Sequence, residues 1–327
     1  MRTAVSTSSD LGMNERAWAL ADRCAETAAA LRVAVQTLPG GSRIIDAGVN
    51  VPGGFGAGLV LAELCMGGLG HISYAPVIIG GESWPGLQVW TDHPAISCMA
   101  SQYAGWSVNP PDFFALGSGP LRARARVERD LFDKLGYAEA SSRGVLVLET
   151  RALLSDAVAA WVAAKAGIDA NSLTIAVAPT ASLAGGVQIA ARVLETGLHK
   201  MDTIGFDVTR VVSAMGTAPL PTTARSDARA IGRTNDCILY GGQARYVVRA
   251  NDDELADLAA RLPACASADY GTPFYDIYKR YDSDFYRIDP MLFSPAEVWL
   301  TSATTGRTFH GGHLNPDVLR ASLLAEN

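Results

Sequence analysis

The feature that most restricts the fold is a unit that occurs twice: an apolar strand, a glycine-rich turn and a helix. In the first copy, RIIDAGV (43–49) reads as a strand, the glycines of 53–58 as tight turns and LVLAEL (59–64) as a helix. In the second, LTIAV (173–177) is an apolar strand and Ala178-Pro179-Thr180-Ala181-Ser182 a turn. Gly185-Gly186 follows, then a helix over 187–196 with Gly197 at its C-cap. Strands alternating with helices predict an α/β chain. An amphipathic helix is expected over 14–37, from the spacing of Ala17, Leu20, Cys24, Ala28, Leu31 and Val35, before a Pro39-Gly40-Gly41 turn. Strands are expected at 72–79, 88–95 and 145–148, and a helix at 153–165. The last third adds strands at 237–240, 245–248 and 297–301, around an aromatic, Asp-rich loop over 270–293. With 327 residues the chain is long enough for two domains. The expected division is a flexible lead-in at 1–13, a first α/β domain at 14–143 and a second at 144–327, with the chain free to cross between them more than once.

Composition removes several function classes. The net charge of −6 argues against a nucleic-acid binder. No uncharged apolar run reaches membrane-spanning length, and Asp10, Glu15, Asp22 and Arg23 interrupt any signal-peptide core, so a cytoplasmic location is expected. The five cysteines never occur as C-x-x-C, which argues against both a disulfide framework and a zinc–thiolate site. Cys65 and Cys98 lie in apolar surroundings and read as buried filler. Gly54-Phe55-Gly56-Ala57-Gly58 is not a dinucleotide fingerprint, so a Rossmann cofactor fold is not expected. In His310-Gly311-Gly312-His313, two histidines without a nearby carboxylate read as surface groups rather than a metal site. Arg122, Arg124, Arg126 and Arg129 read as a solvated helix face.

One pair stands out. Arg192 and Glu195 lie three apart on the expected helix 187–196, hence on one face, and the rest of that helix is mostly apolar. Two readings are open. One is an ordinary surface ion pair of little energetic weight. The other is a carboxylate base steered by a guanidinium, which suits activation of water for attack on an electrophilic carbon.

The surrounding residues carry a resemblance. APTASLAGGVQIAARVLETGLHK (178–200) is similar to the signature segment of the methenyltetrahydromethanopterin cyclohydrolase family. So are GFDVTRVVSAMGTAPL (205–220), AIGRTND (230–236) with ILYGG (238–242), DYGTPFYDIYK (269–279) and IDPMLFSPAEV (288–298). In the first half, ASQYAGW (100–106) and FALGSGP (114–120) match as well. The resemblance runs from about residue 15 to the C-terminus and points to a bacterial, methylotroph-type member. It implies reversible hydrolysis of the methenyl bridge of a tetrahydromethanopterin to the N5-formyl form, in one-carbon metabolism. It also implies a homotrimer, a substrate pocket between two α/β domains, and no metal or redox cofactor. The family's catalytic residues fall on Arg192 and Glu195, and a segment lining the reacting carbon falls on or near Ser101, Gln102, Tyr103 and Ala104. The pterin is the only small-molecule partner implied; no nucleic acid and no membrane is expected.

Further candidates for holding the pterin are Ser118, Thr180, Ser182, Tyr270 and Phe274, with Trp106 and Tyr275; core packing is the competing reading for each aromatic. Gly117-Ser118-Gly119-Pro120 either presents N–H groups to an anionic tail or only ends a strand. The alternatives to the implied activity are hydrolysis of the methenyl-tetrahydrofolate analogue, a non-catalytic pterin-binding protein, and a structural oligomer using the Arg192–Glu195 pair at an interface.

Overall fold

A computed structural model describes residues 11–325. Among the described residues twelve strands form two six-stranded mixed sheets, so the class is α/β, as the strand–helix alternation predicts. The first sheet contains β1 (Ala34–Thr37), β2 (Arg43–Asp46), β5 (Trp106–Val108), β6 (Ala115–Ser118), β7 (Gly144–Glu149) and β8 (Leu173–Ala178). The second contains β3 (His71–Ile79), β4 (Glu82–Thr91), β9 (Val211–Pro219), β10 (Gln243–Val248), β11 (Glu297–Ser302) and β12 (Thr308–Gly312). Their orders are β1-β2-β8-β7-β6-β5 and β12-β11-β10-β9-β4-β3. The chain therefore passes from one sheet to the other three times, and each sheet draws strands from both sides of residue 143.

The repeated unit builds the centre of the first sheet. β2, β8 and β7 are parallel neighbours. Every residue of β8 is buried, and so are five of the six in β7, as expected for parallel strands covered on both faces. Helix Asp156–Ala166 covers one face through Val158, Ala159 and Val162. Helices Met13–Glu26 and Phe55–Cys65 cover the other through Ala17, Ala21, Leu61 and Leu64. The largest core lies between the sheets, where Ala62, Met66, Val187, Leu194 and Leu198 meet Leu87, Val89, Ala214, Ala244 and Val298 of the second sheet.

Several local expectations are corrected. Residues 1–10 of the lead-in lie outside the described residues, but Met13 opens a helix and is fully buried. The expected helix over 14–37 stops at Glu26 and, after a short turn Ala28–Leu31, becomes strand β1. Arg32 in the left-handed region ends the helical run, and the β-branched Val33, Val35 and Thr37 favour a strand that pairs with β2 across the Pro39-Gly40-Gly41 turn. The strand expected at 88–95 is longer and earlier, because Gly80-Gly81, both with positive φ, make a two-residue hairpin turn before Glu82. Residues 237–240 are not a strand but the end of helix Asp227–Leu239. Gly56 and Gly58 are helical rather than turn residues. A Cβ on Gly58 would sit 2.5 Å from Val187 Cβ, so glycine lets the helices of the two repeated units pack against each other.

Candidate active site

The helix expected over 187–196 is in fact two helices, Leu183–Ala190 and Val193–Thr203, broken at Ala191-Arg192. Gly197 is therefore no C-cap. It lies inside the second helix, where a Cβ would come within 2.1 Å of Tyr246 Oη. The break has a polar cause. The Ala191 carbonyl accepts a hydrogen bond from Gln102 Nε2 (3.1 Å), and the buried Arg192 side chain donates from both Nη1 and Nη2 at the same site.

Arg192 draws the site together. Its Nη1 donates to the Gln102 carbonyl (2.8 Å). Its Nη2 donates to Ser118 Oγ (2.7 Å), Glu149 Oε1 (2.9 Å) and Gln188 Oε1 (3.2 Å). These partners come from four places: the end of the π-helical segment Ala95–Gln102, the end of β6, the carboxyl end of β7, and the preceding helix. Ligands of parallel sheets gather at the carboxyl ends of strands, and Glu149 stands at such an end.

Glu195 does not pair with Arg192. It is 5% exposed and makes no hydrogen bond or ion pair among the described residues. Burial pushes its carboxyl above the ordinary glutamate range; the neighbouring Arg192, His199 and Arg122 work against that, and Glu149 adds to it. Three further buried atoms at this spot lack a partner among the described residues: Arg192 Nε, Gln102 Oε1 and Gln188 Nε2. Buried polar atoms are normally satisfied, so a cluster of unsatisfied ones marks where water or substrate belongs.

The Ser101–Ala104 segment is held from behind. Ser101 Oγ donates to the Cys65 carbonyl (2.6 Å), and the Ser101 carbonyl accepts from Gly119 N (2.8 Å). Arg122 corrects the expected solvated arginine face. It is fully buried, donates to the carbonyls of Met99 and Ser101, and pairs with Glu128 at 2.7 Å. Its guanidinium lies 5.0 Å from the Tyr103 ring centroid, and Tyr103 packs on His199 at 4.8 Å. Ala104 is half-buried just beyond. Cys65 and Cys98 are fully buried; burial pushes the Cys65 thiol up to about 12, as befits filler.

Other expected site residues lie elsewhere. Ser182 caps helix Leu183–Ala190, its Oγ accepting from Gly185 N at 3.0 Å. Thr180 and Ser182 line a narrow slot closed by Leu220 and Phe55. Phe55 and Leu220 also border an adjoining groove of about 580 Å³ against Tyr74, Trp84 and Pro85. Trp106 is buried in the core of the first sheet. Phe274 is fully buried among Tyr278, Phe285 and Phe293, and Tyr270 packs on Tyr240 and His313. Neither touches Arg192 or Glu195. Tyr275 takes the cations of Arg229 and Lys279 on its ring. The Gly117–Pro120 turn ends β6 and spends its Gly119 N–H on Ser101. His310 pairs with Glu297 at 2.7 Å. Among the described residues no group of three or more His, Cys, Asp or Glu could hold a metal ion.

Sequence reasoning missed Glu149 and Gln188. Both left a signal: an acidic residue closing an apolar parallel strand, and a glutamine one helical turn before Arg192.

Fold and site together define a class: an α/β protein in which a buried, unpaired carboxyl stands beside a tethered guanidinium, equipment for moving a proton to and from water. A family model described as "MCH: Cyclohydrolase (MCH)" matches residues 12–323, and the chain belongs to that family. It is 46% identical over 298 residues to the methenyltetrahydromethanopterin cyclohydrolase of Methylobacillus flagellatus, covering 91% of this chain and 90% of the relative. It is 44% identical over 310 residues to the protein of that name from Methylobacterium organophilum (93% and 94% covered). It is 38% identical over 318 residues to the one from Methanococcoides burtonii (97% and 99%).

Proposed function

We propose that this protein reversibly hydrolyses the methenyl bridge of 5,10-methenyl-tetrahydromethanopterin to 5-formyl-tetrahydromethanopterin, with Glu195 as general base. The observation that carries the reading is the unpaired, buried carboxyl of Glu195 beside Arg192, in a chain similar along its length to enzymes of that name. The bridge carbon belongs to a cationic amidinium and is already electrophilic, so no metal ion or redox group is called for. Glu195 takes a proton from water as its oxygen bonds to the bridge carbon. The protonated Glu195 then gives that proton to N10 as the C–N10 bond breaks. The hydroxyl proton leaves for solvent as the formyl C=O forms on N5, so one positive charge is discharged as one proton. Arg192, fixed by its acceptors, orients the water or the formyl oxygen, with Gln102 and Gln188 offering the remaining polar atoms.

The pterin is proposed to lie between the two sheet systems, in an interdomain pocket rather than a dinucleotide site. Arg192 supports this, since its acceptors Ser118 and Glu149 end β6 and β7 of the first sheet, while the helix that follows it, Val193–Thr203, packs Leu194 and Leu198 into the core shared with the second sheet. A homotrimer is proposed as well. The outer face of the second sheet carries an unbroken cross-strand row, His71–Trp90–Met215–Arg245–Trp299–His310, in which Trp90 and Met215 are each 43% exposed. A reducing cytoplasmic setting agrees with five unpaired cysteines.

The test is turnover of the methenyl pterin, followed by loss of its absorbance, in wild type and Glu195→Gln. The variant is expected to fold and bind but to lose roughly 10²-fold or more in kcat. Wild-type activity falls as pH drops through the Glu195 pKa, at a midpoint above the ordinary 4.5. A variant that turns over like wild type refutes the assignment.

A further inference from the structure

Two carboxylates compete for one guanidinium at this site, and the outcome of that competition is built into the fold. Arg192 closes its ion pair with Glu149, at 2.9 Å, and acts on Glu195, three residues away on its own segment, only through its field. The pair is enclosed, with side chains 8% and 15% exposed, so solvent screens it little. Ser118 and Gln188 accept from the same Nη2 and fix the fork in that direction. Resting on the reading above, we propose that Glu149 is a positioning residue. Its carboxylate turns the Arg192 fork away from Glu195 and cancels the arginine's charge, so that a cationic substrate meets a free carboxyl instead of a closed ion pair.

Two physical consequences follow. An uncompensated Arg192 would repel the amidinium cation but not the formyl form, whose bridge is uncharged. An uncompensated Arg192 would also stabilise ionised Glu195 more strongly, because Glu149 now opposes it. The groups facing Glu195 are Arg192 and His199 from its own stretch, Arg122 from helix Leu121–Ala125, Glu149 from β7, Cys98 from the π-helical segment and Tyr246 from β10. Arg122 already has Glu128 as its counter-ion, so within this set Glu149 is the carboxylate that balances Arg192.

The test is Glu149→Gln, which keeps an acceptor for Nη2 and removes only the charge. Its KM for the methenyl cation should rise about tenfold while KM for the formyl substrate stays within about twofold. The reverse kcat then falls in proportion, as the fixed equilibrium requires. The acidic limb of the forward pH profile should move down by roughly half to one unit. Equal KM changes in both directions, or an unmoved pH limb, would overturn the proposal, because a merely structural glutamate affects both substrates alike. Glu149→Asp serves if the glutamine variant does not fold. It keeps the charge but draws it back from Nη2, so kcat should fall about tenfold with the ratio of the two KM values unchanged; a wild-type kcat, or a changed ratio, overturns the proposal. Glu195→Gln in the same assays separates the readings. If it turns over normally, the site assignment fails. If it is inactive while Glu149→Gln shows neither signature, only the role of Glu149 fails.

Discussion

Arg192 is worth more to this site as a shaped fork than as a charge. It donates to a backbone carbonyl, a hydroxyl, a carboxylate and an amide from two nitrogens, a pattern that a lysine ammonium cannot reproduce. Arg192→Lys keeps the charge opposite Glu149, whereas Arg192→Ala leaves the largely enclosed Glu149 without its counter-ion. Activity is expected in the order wild type, Lys, Ala. The alanine variant should also lose about 3–5 kcal/mol of stability, the usual result of breaking an enclosed pair from one side. Denaturant unfolding with parallel turnover assays checks both; Lys and Ala variants of equal stability and activity would contradict the role given to the charge.

At the scale of elements, the buried polar groups hold helices to one another. Asp236, on helix Asp227–Leu239, accepts from Ser322 Oγ of the C-terminal helix Pro316–Leu323 at 2.5 Å. It also accepts from the N–H of Phe274, which opens helix Phe274–Arg280, at 2.8 Å. Burial is the main reason its carboxyl is pushed up to about 7, from 3.8. The folded state keeps this proton where the unfolded chain releases it. The contribution of Asp236 is therefore fully present below pH 3.8 and lost as pH rises through about 7. Asp236→Asn should flatten this part of the stability profile. Melting temperatures of both proteins between pH 5 and 8 test the sign: the wild type must lose ground to the variant as pH rises. The break at Ala191-Arg192 belongs to this scale too. Periodicity reads 187–196 as one helix, because its apolar positions continue through the break. Only the Gln102 side chain and the acceptors of Arg192, drawn from distant segments, interrupt it.

For the molecule as a whole, the question is what covers the outer face of the second sheet. The His71–Trp90 stack, at 4.1 Å, and the Arg245 guanidinium over Trp299, at 4.2 Å, belong to the cross-strand row that runs over all six strands. A contiguous exposed patch of this kind marks an interaction surface. If it is the contact between copies, light scattering after size exclusion should give three times the 34.4 kDa chain mass. Trp90→Glu should then shift the mass towards that of a single chain while leaving far-UV circular dichroism intact. A wild-type protein of single-chain mass would rule the trimer out.

The sequence by itself determined the α/β class and the strands at the centre of the first sheet, because local apolar runs and glycine turns are short-range signals. It also singled out Arg192 and Glu195, because two charges in a nearly uncharged stretch are visible without any fold, and the resemblance pointed to the same pair. What only the tertiary structure decided is how those charges are used. Pairing depends on distances between segments far apart in the chain. Hence Glu149 took the place expected for Glu195, and Arg122 left the surface to hold the Ser101 carbonyl. Tyr270 and Phe274 went into an aromatic core for the same reason: an aromatic residue at a turn reads alike in sequence whether it will line a cleft or fill one. The three crossings between sheets were likewise invisible locally, since strand order is a matter of long-range pairing and not of the residues within any one strand.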